Sequence, residues 1–240
     1  MRLDNRIFDL GLASSRTHAK NLILTGKVFI NGEKIFKPAF EVPENAEIFV
    51  DRAEDYSSLG GIKLKNAFEK FGISSNDKIC IDIGASNGGF TDVMLRGGAK
   101  KVYAVDVGEC ALPDELIADG RVEVRDRLNA RYLTFEDIGL KADLITVDVS
   151  FISLKLILPA LIQFMTADSR LIALIKPQFE LGKSALSKSG VVKNPKLYQK
   201  AVDDVVAFAA SIGLKNSGVI EVPRLFKDKN REYTAAFSLN

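Results

Sequence analysis

The sequence predicts an α/β chain: a parallel sheet wound by helices on both faces, preceded by a small α+β unit. Three observations carry that prediction. From residue 76 onward, short apolar β-branched runs alternate with segments of helical spacing, the pattern of repeated strand and helix units. The first run, Ile79 to Ile83, passes directly into Gly84-Ala85-Ser86-Asn87-Gly88-Gly89-Phe90, a glycine-rich turn at a strand's end. Asp106, Asp126, Asp148 and Lys176 all fall where predicted strands stop, the edge at which such sheets bind ligands.

The N-terminal unit comes first. Leu10, Leu12, Ala13, Ala19, Leu22, Ile23 and Leu24 give two short helical patterns split by Gly11 and Ser14-Ser15, and a serine there suits the cap of the second helix. Val28-Phe29-Ile30 and Glu33-Lys34-Ile35 flank Asn31-Gly32, a pair that supplies the positive φ angles of a two-residue hairpin turn. Glu47 to Val50 reads as a further strand. Residues 1–37 hold seven basic side chains (Arg2, Arg6, Arg16, Lys20, Lys27, Lys34, Lys37) against Asp4, Asp9 and Glu33, an excess of four. The whole chain carries only +2, so the excess is local, as in a phosphate-backbone binder or simply a solvated charged face. Asp51 to Tyr56 is a polar connection, giving units at 1–52 and 59–240 with a linker at 53–58.

The larger unit opens with a helix from Leu59 to Phe71, with Ile62, Leu64, Ala67, Phe68 and Phe71 on one side and Lys63 and Lys65 off that stripe. Strands follow at 79–83, 101–107, 121–125, 142–148, 170–176, 217–222 and 232–239, with helices at 90–96, 113–119, 153–166 and 195–212. The glycine turn excludes two common nucleotide sites. It closes on Gly88-Gly89-Phe90 and not on the Gly-Lys-Ser/Thr of a phosphate loop, and Ser86 occupies the place of the second glycine of a dinucleotide fingerprint. A ligand without phosphates remains, and S-adenosylmethionine suits it: an amino-acid moiety against the turn and ribose hydroxyls on an acid at the next strand's end. Asp106 stands near the expected roughly 20 residues beyond the first glycine. An ordinary α/β turn with capping polar residues fits the same corner.

Composition excludes other classes. At 240 residues, 47% hydrophobic and 27% charged, the chain reads as globular. It has no run of about 18 apolar residues and no apolar signal core behind Met1, so a cytoplasmic location without membrane contact is the default. One histidine, His18, and two unclustered cysteines, Cys80 and Cys110, argue against a zinc site or a Ser-His-Asp triad. Asp148 and Lys176 end neighbouring strands. They fit a salt bridge; they also fit a base, because Lys176 lies on the rim of an apolar core where loss of water disfavours a charged amine. Lys183 to Lys200 adds five lysines and no acid, with Gly182 and Gly190 as hinges, so Lys183 and Lys188 are candidate phosphate contacts or parts of a solvated loop.

Two family resemblances sharpen these readings. Arg2-Leu3-Asp4, Ser15-Arg16 with Ala19-Lys20 and Leu22-Ile23, and Gly26-Lys27-Val28 with Ile30-Asn31-Gly32 resemble the S4 RNA-binding domain. That resemblance implies RNA contacts at Arg2, Arg16, Lys20 and Lys27. The segments 60–64, 82–92, 102–108, 148–154, 174–183 and 231–233 resemble, in order, the FtsJ-like ribose 2′-O-methyltransferases. With the leading unit, the chain is similar to the TlyA family, which methylates cytidine 2′-hydroxyls of ribosomal RNA and is often called haemolysin-like. The resemblance implies a Rossmann-like S-adenosylmethionine methyltransferase sheet, ribosomal RNA or a ribosomal subunit as partner, and a catalytic set of Lys63, Asp148, Lys176 as general base, and Glu232. Implied cofactor contacts are Gly84, Ser86, Gly88, Gly89, Phe90, Asp106, Asp126 and Asp148. The chain departs from the family at Leu59, where an arginine is usual, at Ala111 and Asp126, and over residues 222–230. Its start at Arg2-Leu3-Asp4 and its end soon after Glu232 resemble the shorter family type associated with large-subunit RNA. A non-catalytic RNA-binding role and a haemolysin are the competing readings.

Overall fold

In a computed structural model, residues 1–43, 45–51, 56–223 and 229–240 are described. Most of the predicted connection, residues 52–55, and residues 224–228 of the departing segment lie outside them. The chain forms two compact units, Met1–Leu59 and Gly60–Asn240.

In the first unit, α1 (Leu3–Asp9) and α2 (Arg16–Leu24) precede strands β1 (Val28–Ile30), β2 (Glu33–Lys34) and β3 (Ile48–Val50), which form an antiparallel sheet in the order β2-β1-β3. Ser15 caps α2, its side chain accepting from the His18 amide as expected. Asn31 and Gly32 take positive φ at the hairpin turn. The first helix lies earlier than its apolar pattern suggests: Leu3 and Ile7 are buried, whereas Leu10, after the helix, is exposed. Leu3, Ile7, Ala19, Leu22, Ile23, Val28 and Val50 close this core.

The second unit runs α3 (Gly60–Phe71), β4 (Ile79–Ile83), α4 (Gly89–Arg96), β5 (Lys101–Val105), α5 (Asp114–Ile117), β6 (Val122–Arg125), α6 (Phe135–Ile138), β7 (Leu144–Val147), α7 (Leu158–Leu161), β8 (Arg170–Ile175), α8 (Pro177–Glu180), α9 (Lys196–Ser211), β9 (Leu214–Glu221) and β10 (Tyr233–Leu239). Its seven-stranded sheet is ordered β6-β5-β4-β7-β8-β10-β9. Strands β4 to β8 are parallel; the apolar runs of β4, β5, β7 and β8 are buried on both faces, whereas β6, Val-Glu-Val-Arg at the sheet edge, is half-buried.

The expectation of a wholly parallel sheet is corrected at β10, which is antiparallel to both β8 and β9. Residues 222–232 alone join β9 to β10, too few for a crossover helix, so the chain turns back beside β9. The continuous helix expected over 153–166 is also corrected. Pro159 lacks an N–H to donate, and the segment divides into a 3-10 turn at Leu154–Leu156, the short α7, and a second 3-10 turn at Ile162–Phe164. Helices α6 and α8, each four residues long, are too short to show a period in sequence.

Asp82 sits fully buried in β4. Its carboxylate accepts hydroxyl hydrogen bonds from Thr91 of α4 (2.7 Å) and Thr146 of β7 (2.8 Å), joining three elements. Burial pushes this carboxyl up to about 6, opposed by those hydroxyls. The native state therefore keeps a proton that the unfolded chain has released. The contribution to stability is greatest below about pH 4 and is lost as pH rises toward the folded value. Asp82→Asn, which keeps the shape, is expected to remove one proton's worth of slope from the stability curve between about pH 4 and about pH 6. Denaturant unfolding of both proteins across that window measures it, and parallel curves would refute the assignment.

Candidate active site

The corner after β4 is built by backbone. Gly84 has φ +84°, and a Cβ there would stand 2.4 Å from the Asp148 carbonyl oxygen, so only glycine lets the ends of β4 and β7 meet. Ser86 has a φ of 46°, and its amide donates to Asp106 Oδ2 at 3.0 Å. Asp106 Oδ1 accepts from the Gly108 amide at 2.9 Å, so one carboxylate at the end of β5 orders both the glycine turn and its own loop. Gly88, left-handed, is the N-cap of α4.

Beside this corner opens a cleft of about 340 Å³. Of the residues expected at the cofactor, Gly84, Ser86, Asp106 and Asp148 line it. Gly88, Gly89 and Phe90 instead start α4, with Phe90 buried beneath the turn. Asp126 faces the 106–110 loop and accepts the Cys110 amide at 2.6 Å, a bond that holds its carboxyl below the usual range. Sequence reading missed Val107, Leu128, Asn129 and Phe151, which also line the cleft. They come from loops after β5, β6 and β7, where no period marks them; Phe151 carries a positive φ of 65° and is 90% exposed.

The rim of the sheet gathers two lysine–carboxylate pairs. Strands β7 and β8 are neighbours, and Lys176 Nζ lies 2.6 Å from Asp148 Oδ1 with both side chains largely covered. The ammonium also donates to Ser150 Oγ at 2.9 Å. Asp148 Oδ1 is buried without an aligned hydrogen bond, held by charge alone. Pairing of Tyr233 with Ile175 brings the start of β10 to the end of β8, so Glu232 reaches the same rim. There Glu232 Oε2 meets Lys63 Nζ of α3 at 2.5 Å. Lys65, the alternative the sequence left open, pairs instead with Glu69 one turn along.

A further residue escaped the sequence reading. Glu180 of α8 accepts the Ser153 hydroxyl at 2.5 Å and the Leu154 amide at 2.8 Å, tying the segment after Lys176 to the segment after Asp148. Burial pushes its carboxyl up while those two donors oppose the shift. Phe151 and Phe179 meet across the same seam, ring centroids 5.1 Å apart. Burial raises the Cys80 thiol to about 12 and raises Cys110 as well, so neither supplies a thiolate nucleophile at neutral pH.

The expected RNA contacts lie in both units. Arg16 and Lys20 are exposed on α2, Lys27 is half-buried, and Arg2 is exposed but paired with Asp4 at 2.7 Å. Lys183 and Lys188 are exposed on a loop closed by the Leu186–Val192 bridge. Asn230 secures that loop: its Oδ1 accepts from the Val192 amide and the Tyr198 hydroxyl, and its Nδ2 donates to the Gly190 carbonyl.

A glycine corner at the carboxyl end of a mostly parallel sheet, an acid at the next strand's end and a lysine–carboxylate rim define a Rossmann-like enzyme of group transfer. The chain belongs to the FtsJ-like methyltransferase family, whose description matches residues 56–239, and residues 1–48 match the S4 domain. The 16S/23S rRNA (cytidine-2′-O)-methyltransferase TlyA of Mycobacterium tuberculosis is 42% identical over 97% of this chain and 87% of its own length. Hemolysin A of Brachyspira hyodysenteriae is 38% identical over 99% of both. The solved structure of a Streptococcus thermophilus protein described as a candidate hemolysin matches all of this chain and 88% of its own, with a TM-score of 0.77 and 38% identity. No helix among the described residues is long and apolar enough to cross a membrane.

Gly84→Ala is expected to destabilise the protein by about 2 to 4 kcal/mol, since it combines left-handed backbone with a clash against main chain. Urea unfolding checks this; a change within experimental error would mean the two strand ends part without cost.

Proposed function

We propose that this chain transfers a methyl group from S-adenosylmethionine to the ribose 2′-hydroxyl of a cytidine in ribosomal RNA, in the cytoplasm, with the S4 domain docking the RNA. The observation that carries the reading is the 2.6 Å contact between Lys176 and Asp148 at the lip of the cleft; the activity named for the Mycobacterium tuberculosis relative agrees with it. The cleft residues fit the cofactor: Asp106 offers carboxylate oxygens to ribose hydroxyls, Leu128 and Val107 offer apolar walls, and Ser86 faces the same space. When bound, S-adenosylmethionine supplies a methyl group made electrophilic by its sulfonium.

The chain's own residues do the rest. Lys176 Nζ, once its own proton has passed to solvent, takes the proton of the 2′-hydroxyl as that oxygen becomes the nucleophile, and Asp148 stabilises the ammonium re-formed. Lys63, neutralised by Glu232 on one side, keeps an N–H donor available to orient the ribose. Phe151, exposed at the cleft and backed by Phe179, offers its face to the target base. Lys183 and Lys188 lie on a loop in the same unit and supply charge for the flanking phosphates.

Tritium transfer from labelled S-adenosylmethionine to purified ribosomal subunits tests the reading. Lys176→Ala is expected to lose about 100-fold or more in rate, while equilibrium dialysis finds S-adenosylmethionine affinity retained. Equal incorporation by the variant would remove Lys176 from the role of base. Charge reversal at Arg16 and Lys20 is expected to weaken RNA binding and flatten its salt dependence by roughly 0.9 in slope for each phosphate no longer neutralised. Unchanged affinity there would take the S4 domain out of docking.

A further inference from the structure

The sheet of the first unit buries one face on α1 and α2 and turns the other outward. On β1, Val28 and Ile30 are buried and Phe29, between them, points away from the core; on β3, Val50 is buried while Phe49 is 60% exposed. The register pairs Phe29 with Phe49 on one side and with Lys34 on the other, which aligns Lys34, Phe29 and Phe49 in a single row across the three strands. The two rings lie 5.8 Å apart at 51°, and Lys34 Nζ stands 5.3 Å from the Phe29 centroid. Phe36, 59% exposed, covers Gly26, where a Cβ would come within 2.6 Å of its ring. Gly26 thus leaves room for that ring beside Lys34.

Single exposed apolar side chains are ordinary, but a contiguous row of them beside a cation marks a contact surface. We propose that this outer sheet face is a stacking platform for unpaired nucleotides of the RNA substrate, a role that rests on the function proposed above. Flat rings accept the π-face of any base, and Lys34 with Lys37 meets the adjoining phosphates. Local charge selects RNA over an apolar protein partner: Lys34 stands in the row against the Phe29 ring and Lys37 follows it in the chain, while Glu41, Glu44, Glu47 and Asp51 bring residues 1–51 as a whole to zero. Glu33 alternates to the other side of β2, while Glu47 and Asp51 lie just beyond the two ends of β3, two residues either side of Phe49, so phosphates run along the β2 side of the row and bases along β1 and β3. Because α1 and α2 cover the inner face of the sheet, this platform is separate from the helix-borne Arg16 and Lys20, and the unit holds RNA on two sides.

The chain contains no tryptophan, so Phe49→Trp in the 240-residue chain installs a lone tryptophan reporter that retains stacking. A single-stranded RNA of about twelve nucleotides is expected to quench it, and a blunt RNA duplex of equal strand length is expected to leave it largely unaffected. The exposed pair Phe36→Ala with Phe49→Ala is expected to weaken single-strand affinity by about tenfold. Its salt slope should match the parent, because neither substitution removes a charge. Absence of quenching together with unchanged affinity in the double variant overturns the platform. A shift in sedimentation of the double variant without loss of RNA affinity also overturns it, assigning the face to a protein contact. Methyl transfer to ribosomal subunits by the parent protein, run alongside, separates the two claims. Transfer with normal RNA binding by the double variant sinks the platform alone, whereas quenching without transfer sustains the platform and sinks the proposed chemistry.

Discussion

The close approach of two strand ends governs the larger unit. Gly84 rests against the Asp148 carbonyl with no room for a side chain, so the turn that forms the cleft and the carboxylate that meets Lys176 are placed by one contact. Asp82, just before it, is bonded to Thr91 and Thr146 and fastens the same strands to the helix behind the turn. Glycine corner and rim are therefore joined as one piece, and the transfer proposed above needs a geometry with little play.

The rim is locked a second time from outside the sheet. Glu180 joins the loops that follow Asp148 and Lys176, and the Phe151–Phe179 contact runs along that seam. An ion pair alone would not hold a long lysine in one rotamer, since its four-carbon stem keeps much entropy. The covalent neighbours of both partners are restrained instead, and the lysine has few places to go.

How much of this could be read from the residues depended on which forces shape each part. Strands β4, β5, β7 and β8 were legible because both faces are buried, leaving unbroken apolar runs, and the adjacency of Asp148 and Lys176 followed from strand alternation. The serine cap and the Asn31-Gly32 turn were legible because they are local. The antiparallel course of β10 is implied only by two successive strands with no helix between them, a weaker sign than the strand–helix alternation before it. The apolar spacing on either side of Pro159 hides the break that its missing N–H imposes. Phe151, Leu128 and Asn129 converge on the cleft from separate loops, and nothing in a linear pattern announces convergence. The choice between Lys63 and Lys65 turned on which side of α3 faces Glu232, a fact of tertiary structure.

The place of β10 has a consequence for how the molecule is made. It follows β9 in the chain yet lies between β8 and β9 in the sheet, so the sheet cannot close in the order of synthesis. A nascent chain that has passed residue 221 still presents β8 with an unpaired, hydrophobic edge, the kind of surface that recruits chaperones or aggregates. Insertion of the final strand seals that edge and, in the same event, delivers Glu232 to Lys63.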